Sequence, residues 1–197
     1  MKKVVLFFAV ALVWNGLFAQ INRTWNGSGI PAYWNNPNNW LPIGVPATGD
    51  TVIFNSVTAC DLNVSPSIAA LRATGTGGNI ITGSGPQTMT IGNAGAVPSV
   101  LRVDAGANLS LGNGGGISFT TYGAGGANTA QIAGTLNLLG TSTWAMSNGA
   151  GQLTNTDVTG TVNVTAFHTG PTAITNSIIS TLRFLSGSTL AWARNGG

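Results

Sequence analysis

Carboxylates are the side chains with which this chain could do chemistry, and they are few. The 197 residues contain no Glu and four Asp, namely Asp50, Asp61, Asp104 and Asp157. Hydrolysis of a glycosidic bond needs two carboxyl groups about 5 to 10 Å apart. Asp157 follows Asp104 by 53 residues, which is close to two turns of the repeat described below and about 10 Å along its axis. Each precedes a recurring Gly, where Asp is an ordinary turn residue, so we predict turn roles and no catalytic pair.

The remaining reactive residues do not form a recognisable site. His168 is the only histidine, and without a second His, a Cys pair or a Glu we predict no metal cluster. No Gly-x-Ser-x-Gly motif presents a nucleophilic serine. The Gly-rich stretches 75–85, 112–116 and 123–126 lack the Lys-Ser/Thr tail and the helix of a phosphate-binding loop. The sequence therefore predicts no catalytic residue, no metal and no cofactor.

Arginines at equivalent positions form the first candidate binding set. Arg72 and Arg102 are 30 residues apart, and Arg183 lies three repeats beyond Arg102. Because of this gap, the three do not form a continuous basic ladder. We expect a solvated face, with an anion site as the less favoured alternative.

Aromatic residues form the second candidate set. Trp25, Tyr33, Trp34 and Trp40 lie together in a segment rich in Pro and Asn. Exposed aromatic faces stack on sugar rings, so these four are the predicted carbohydrate-binding residues. The favoured alternative is that their large apolar surfaces cover an open end of the fold.

A degenerate repeat organises the rest of the chain. Residues 101–111 (LRVDAGANLSL) return as 182–192 (LRFLSGSTLAW), with shorter copies at 132–138 and 158–164. The apolar residues that open the last strand of the four copies are Leu109, Leu136, Val162 and Leu190, at steps of 27, 26 and 28 residues. Such a period, with apolar alternation and Gly breaks, is typical of a solenoid. We predict an all-β, right-handed parallel β-helix with a period of about 27 residues; a β-sandwich is the alternative.

Three features of that solenoid follow from the spacing. The four apolar residues should stack as vertical neighbours on one wall, and helix should be nearly absent. A recurrent corner, where a positive φ or a close backbone approach is needed, is marked by Gly106, Gly134, Gly160 and Gly187. An amide ladder up one side is predicted for Asn108, Asn137 and Asn163. Residues 51–197 correspond to roughly five turns of this period.

Composition narrows the class of protein and of partner. Charged residues make up 6% and hydrophobic residues 43% of the chain, a balance opposite to that of disordered proteins. The formal charge of +3 includes Lys2 and Lys3. Without these two lysines, five Arg face four Asp. No clustered basic face remains, so we predict no nucleic-acid partner.

The first 19 residues predict export. Two lysines precede an apolar run over 4–13, which is typical of a secretory signal peptide and too short to span a bilayer. We expect cleavage before Gln20, a secreted or cell-surface location and no transmembrane segment in the mature chain. Cys60 is the single cysteine, so no internal disulfide is predicted, and its apolar neighbours favour a buried thiol.

Two further segments complete the predicted organisation. Residues 20–50 contain three of the six Trp and four of the eight Pro, a composition that disfavours central strands. We predict a turn-rich aromatic cap there, because solenoid ends are normally covered. Residues 51–197 form the solenoid, and its last strand ends in mid-pattern. We therefore expect truncation at the carboxyl end and downstream domains in the same polypeptide.

Several motifs resemble the start of large secreted surface proteins of Bacteroidetes. They are the leader ending in Ala-Gln, Thr24-Trp-Asn-Gly, Trp34, Asn39-Trp40, Pro46, Asp50-Thr-Val-Ile-Phe and the Gly-Thr-Leu-Asn-Leu turns. The resemblance implies an adhesin-like right-handed parallel β-helix exported by the type IX route. That route also implies a carboxy-terminal sorting domain, which this sequence lacks.

The functional prediction is a non-enzymatic extracellular β-solenoid that serves as a stalk or adhesive module, with glycans or cell-surface components as partners. One alternative is the amino-terminal part of a polysaccharide-active enzyme whose catalytic turns lie beyond residue 197. A glycan-binding module that uses the aromatic segment is the other.

Overall fold

The computed structural model describes residues 20–81, 85–92, 99–112, 116–122, 129–147, 155–165, 174–176 and 181–193. In these ranges the chain forms strands and one short 3-10 turn, Pro37–Asn39, and no α-helix. The prediction of an all-β chain is confirmed for them. The same ranges hold no helix of the length and apolar character needed to cross a bilayer. The predicted signal peptide, residues 1–19, lies outside the described part.

The strands, numbered in chain order, form three sheets. Sheet A contains β18 (Thr181–Phe184), β15 (Asn155–Val158), β12 (Thr129–Ile132), β9 (Ser99–Val103), β6 (Ala70–Ala73), β3 (Thr51–Phe54), β1 (Asn22–Trp25) and β2 (Trp40–Leu41), in that spatial order. Sheet B contains β19 (Thr189–Trp192), β16 (Thr161–Val164), β13 (Thr135–Leu138), β10 (Asn108–Leu111), β7 (Gly77–Ile81) and β4 (Ala59–Asp61). Sheet C contains β17 (Ile174–Asn176), β14 (Thr143–Ser147), β11 (Ile117–Tyr122), β8 (Gln87–Ile91) and β5 (Ser67–Ile68).

This strand order is that of a β-solenoid. From β3 onward, successive strands enter sheets A, B and C in rotation, so neighbours within one sheet come from successive turns of the chain. Those neighbours are parallel, and about five turns are stacked. The predicted fold class is confirmed, and the β-sandwich alternative is wrong because a sandwich would pair antiparallel strands that follow one another.

The register of sheet B agrees with the sequence repeat. Leu109 pairs with Leu136, Leu136 with Val162, and Val162 with Leu190. In sheet A, Leu71 pairs with Leu101 despite a step of 30 residues. The extra residues between Leu71 and Leu101 are therefore accommodated outside this pairing, and β6 and β9 keep their alignment.

Alternate side chains of each strand point into the solenoid. In β10, β13 and β16 the second and fourth residues are buried, and all six are Leu or Val. One turn buries too little apolar surface to offset its own ordering entropy. Stacking joins the inward residues into one continuous core and pairs the backbone of each turn with that of the next.

Glycine marks the corner between sheets A and B for two different reasons. Gly106 and Gly187 have φ of 80° and 85°, which L side chains rarely adopt. Gly134 and Gly160 have no positive φ, but a Cβ at either would collide with backbone carbonyl oxygens of the preceding turn. The prediction that this corner needs either a positive φ or a close approach is confirmed.

The stacked sheet begins within the segment predicted as a cap. Strand β1 pairs in parallel with β3, and β2 pairs antiparallel with β1 at the edge of sheet A. The Pro content had argued against central strands here, but the four residues of β1 include no Pro. Pro42 follows the two-residue edge strand β2 directly, a position where Pro limits further pairing.

Candidate functional site

The predicted aromatic set lies at the amino-terminal end of the solenoid. Trp25, Trp34 and Trp40 are at most 1% exposed. Trp40 lies edge-on to the other two, with ring centroids 5.0 Å from Trp25 and 4.8 Å from Trp34. All three rings lie about 6 Å from Phe54 of β3. These rings close the first turn of the core, which is the cap role.

This packing leaves the three tryptophans no free face on which a sugar could stack. The indole N–H of Trp40 donates to the carbonyl of Trp34 at 2.8 Å. The indole N–H groups of Trp25 and Trp34 are buried without a hydrogen-bond partner in the described part of the chain. A carbohydrate surface made of these rings is therefore inconsistent with their burial, and the alternative of a hydrophobic cap replaces it.

Tyr33 is the exception in the set. It is 39% exposed and forms a parallel bridge with Asp61 of sheet B. Of the four predicted residues, Tyr33 alone therefore has a ring face that a sugar could contact.

The carboxylates of Asp50, Asp104 and Asp157 form ion pairs with arginines. Asp50 is buried and accepts from Arg23 at 3.1 Å and from the amide of Ala47 at 2.9 Å. Asp157 accepts two hydrogen bonds from Arg183, at 2.7 and 2.9 Å. Each of these pairs has a positioning role: the first ties the 42–50 loop to β1, and the second joins neighbouring strands of sheet A.

Asp104 accepts from two arginines, Arg72 at 3.0 Å and Arg102 at 2.5 Å. Partial burial opposes ionisation of the Asp104 carboxyl, but the hydrogen bonds from Arg72 and Arg102 outweigh it and lower its pKa. Asp104 is therefore a carboxylate at neutral pH and neutralises one of its two partners.

The predicted alignment of Asp104 with Asp157 is wrong. Asp157 is a strand residue of β15, opposite Gln131 on one side and Arg183 on the other. Asp104 follows the end of β9. Its carbonyl accepts from the amide of Ala107 at 2.9 Å, as a turn residue does. The turn prediction holds for Asp104 only, because the step from β9 to β12 differs from the step from β12 to β15.

The two other chemistry-bearing residues are Cys60 and His168. Cys60 is fully buried in β4, where burial, and secondarily the charge of Asp61, raises the pKa of its thiol well above the usual value. It is therefore a protonated core residue at neutral pH. His168 and the Gly123–Gly126 stretch lie outside the described residues. In the described ranges, no three His, Cys, Asp or Glu side chains are grouped as metal ligands.

The outward face of sheet B carries an amide ladder. The Nδ2 of Asn163 donates to the Oδ1 of Asn137 at 2.8 Å. The Nδ2 of Asn137 donates to Asn108 at 2.6 Å and to the hydroxyl of Ser110 at 3.0 Å. The predicted ladder is confirmed, with Ser110 directly opposite Asn137 and Asn108 two residues earlier in β10.

Hydroxyl columns extend this polar pattern. On sheet B, Thr135 pairs with Thr161 and Thr161 with Thr189. On sheet C, the outward columns, in register from turn to turn, are Thr88, Ser118 and Thr143, and Thr90, Thr120, Ala145 and Thr175. Parallel strands lie about 4.8 Å apart, so both faces present side chains at a regular spacing.

Charge is distributed unequally among the three faces. In the described strands of sheets B and C, the outward side chains are uncharged apart from Asp61. Sheet A carries Arg72, Arg102, Asp157 and Arg183 in a single column, interrupted by Gln131. The solenoid therefore has two flat, almost uncharged faces and one face with ion pairs.

Comparisons with known proteins found no match for this chain. No protein-family model, curated protein or solved structure matches the chain. The solenoid that the Bacteroidetes resemblance implies is present, whereas membership of that group and the export route remain predictions from the sequence motifs.

The regular polar faces were only partly predictable from the sequence. The Asn ladder was visible in the repeat, but the hydroxyl columns of sheet C require knowledge of which short strands align.

Proposed function

We propose that this chain is a non-enzymatic, extracellular β-solenoid that acts as a rigid stalk and adhesive module. The observation that supports this most is the pair of flat faces on sheets B and C, which repeat hydroxyl and amide groups from turn to turn and carry almost no charge. Such faces suit weak, repeated hydrogen bonding to a neutral hydroxyl-rich surface, of which cell-surface glycans are the main class.

Rigidity comes from how each turn is fixed to the next. The backbone of every inner strand pairs on both sides, and the Asn137 and Asn163 amides add side-chain bonds between turns. Because the face is held in shape before binding, little conformational entropy is lost on contact. Several weak contacts on one rigid body then act together, which raises avidity without requiring a deep pocket.

The ion pairs of Asp50, Asp104 and Asp157 favour a non-enzymatic role. Each carboxylate accepts hydrogen bonds from arginine and holds elements of the fold together. A glycosidase acid needs a raised pKa, whereas the pKa of Asp104 is lowered. Extracellular location is part of the proposal and rests on the leader-like residues 1–19.

A glycan array and a sugar-release assay test the proposal together. The purified protein should bind neutral polysaccharides weakly and release no reducing ends. Thr161→Lys should reduce retention severalfold, because a long charged side chain interrupts the flat face of sheet B. Gln131→Lys, an exposed position on sheet A, is the matched control and should leave retention unchanged. Release of reducing ends by the protein, or equal effects of the two lysines, would contradict the proposal.

Export is tested separately by mass spectrometry of protein recovered from the medium of a secreting host. The expected mature chain begins at Gln20. Retention of intact residues 1–19 on intracellular protein alone would remove the extracellular part of the proposal and leave the face-binding part standing.

A further inference from the structure

A cleft of about 230 Å³ opens on the outward face of sheet A near the capped end. Small side chains of β3 and β6, Thr51 and Ala70, form its floor, and Arg72 and Arg102 line one side. Gln20, Asn22, Leu71 and Ser99 also line it. Only one small ligand, or one unit of a longer chain, fits this volume.

The register of sheet A explains why the cleft forms here. Thr51 lies directly opposite Ala70, and Arg72 lies directly opposite Arg102 two positions further along the strands. A column of small side chains therefore adjoins a column of long ones. Beside them, the pairing of β9 with β12 shifts by one residue after Ser99. Such bulges re-aim side chains and are common next to binding sites.

The cleft carries an unbalanced positive charge. Arg72 and Arg102 both donate to Asp104, so two guanidinium groups share one carboxylate. Among the residues that the structure describes, no third charged side chain lines the cleft. The remaining formal charge is +1, carried by two arginine side chains that are 41% and 47% exposed.

One hydrogen-bond donor in this cluster has no partner within the described ranges. The Nε of Arg72 is buried and makes no hydrogen bond there. Arg72 reaches Asp104 through a terminal guanidinium nitrogen only, whereas Arg102 uses its Nε. A buried donor without a partner costs about 1 to 3 kcal/mol, so the contacts within the fold leave the Arg72 guanidinium incompletely satisfied.

From these features we infer that the cleft binds the carboxylate-bearing ring of an acidic sugar, one hexuronate unit. Guanidinium groups bind a carboxylate through paired N–H donors. Thr51 and Asn22 also line the cleft, with a hydroxyl and an amide group that match ring hydroxyls better than they match an apolar acid. The inference extends adhesion to acidic glycans and does not depend on the neutral faces of sheets B and C.

Isothermal titration calorimetry with D-galacturonate tests the site. The expected dissociation constant is on the order of 1 mM, typical of one charged group in a small open cleft. Arg102→Gln should weaken binding at least about tenfold, as expected for lost hydrogen bonds between charged groups. Arg183→Gln is the matched control, because Arg183 lies in the same column but forms a closed pair with Asp157; its affinity should equal that of the parent protein.

Ligand variants separate the sugar acid from a general anion site. The methyl ester of galacturonate and free galactose lack the charge and should bind at least about tenfold more weakly. Inorganic phosphate and acetate should compete poorly, since they lack the ring. Ala70→Leu fills the floor without altering charge and should also abolish binding, with the far-ultraviolet circular dichroism spectrum unchanged.

Three results would overturn the inference: equal affinity of Arg102→Gln and Arg183→Gln, equal affinity for the acid and its methyl ester, or competition by phosphate as strong as that by galacturonate. Failure of these tests leaves the proposed neutral adhesion intact, because its assay uses Thr161 on sheet B. Failure of the Thr161 test likewise leaves the cleft unaffected.

Discussion

Leu136 lies directly opposite Leu109 in sheet B, 27 residues and one turn away, and both side chains are fully buried. Their alignment means that one repeat of the sequence forms one turn of the solenoid. Each inward side chain therefore contacts residues of its own turn and of the turns above and below. A substitution at one inward position therefore alters the packing of three successive turns.

Leu136→Ala should destabilise the protein by about 2 to 5 kcal/mol, because the cavity lies in the middle of the stack and its walls are fixed by strand pairing on both sides. Urea unfolding followed by circular dichroism measures the loss. Thr135→Ala, the outward neighbour in the same strand, is the control and should change stability by less than about 1 kcal/mol. Equal losses at the two positions would contradict the inward and outward assignment.

The corner glycines give a second prediction. Gly134→Ala places a methyl group against the carbonyl oxygens of Asp104 and Ala107, so the stacked turns must separate at that corner. We expect a loss of at least about 1 kcal/mol in the free energy of unfolding, typical of overpacking against a rigid neighbour. Gly49→Ala is a matched control, because a Cβ there meets no atom within 4 Å and φ is not positive. A smaller effect at Gly134 than at Gly49 would contradict the close approach.

The sequence predicted those parts of the fold that repeat at a constant spacing. The stack of Leu109, Leu136, Val162 and Leu190, the corner glycines and the ladder step from Asn137 to Asn163 all lie in turns of 26 to 28 residues, where equivalent positions can be counted. Burial of the tryptophan rings in the cap was also predictable, because packing against the open end of the core removes their large apolar surfaces from water.

The irregular turns were not predictable in the same way. Asp157 was assigned to a turn because it precedes Gly160, but strand pairing places it opposite Arg183. The cleft depends on the step of 19 residues from Thr51 to Ala70, the step of 30 from Arg72 to Arg102 and the shifted pairing at Ser99. No single period contains all three, so the convergence of these side chains requires the three-dimensional register.

The aromatic cap gives a third prediction. Trp40→Ala should lower stability by about 3 to 5 kcal/mol, because Trp40 packs edge-on against Trp25 and Trp34 and its removal opens the end of the core. Thermal and urea unfolding measure the change. Tyr33→Ala removes the half-exposed ring of the same segment and should cost much less. If Trp40→Ala kept full stability but lost glycan retention, the ring would be a ligand contact and the cap assignment would be wrong.

The buried thiol of Cys60 makes the stability of the folded protein depend on pH. Its thiol pKa is raised in the folded protein by burial, with a smaller contribution from Asp61, whereas an unfolded thiol titrates near 8.5. The unfolded state therefore loses its proton first as pH rises, so the contribution of this residue is fully present below about pH 8.5 and declines above it. Urea midpoints at pH 7 and pH 9.5 should differ more for the parent protein than for Cys60→Ala, which lacks the titrating group.

Folded protein should also resist alkylation of Cys60 by iodoacetamide at pH 8, and the thiol should react quickly once the protein is unfolded. Rapid alkylation under native conditions would show that the thiol is accessible and would contradict the burial of Cys60 in β4.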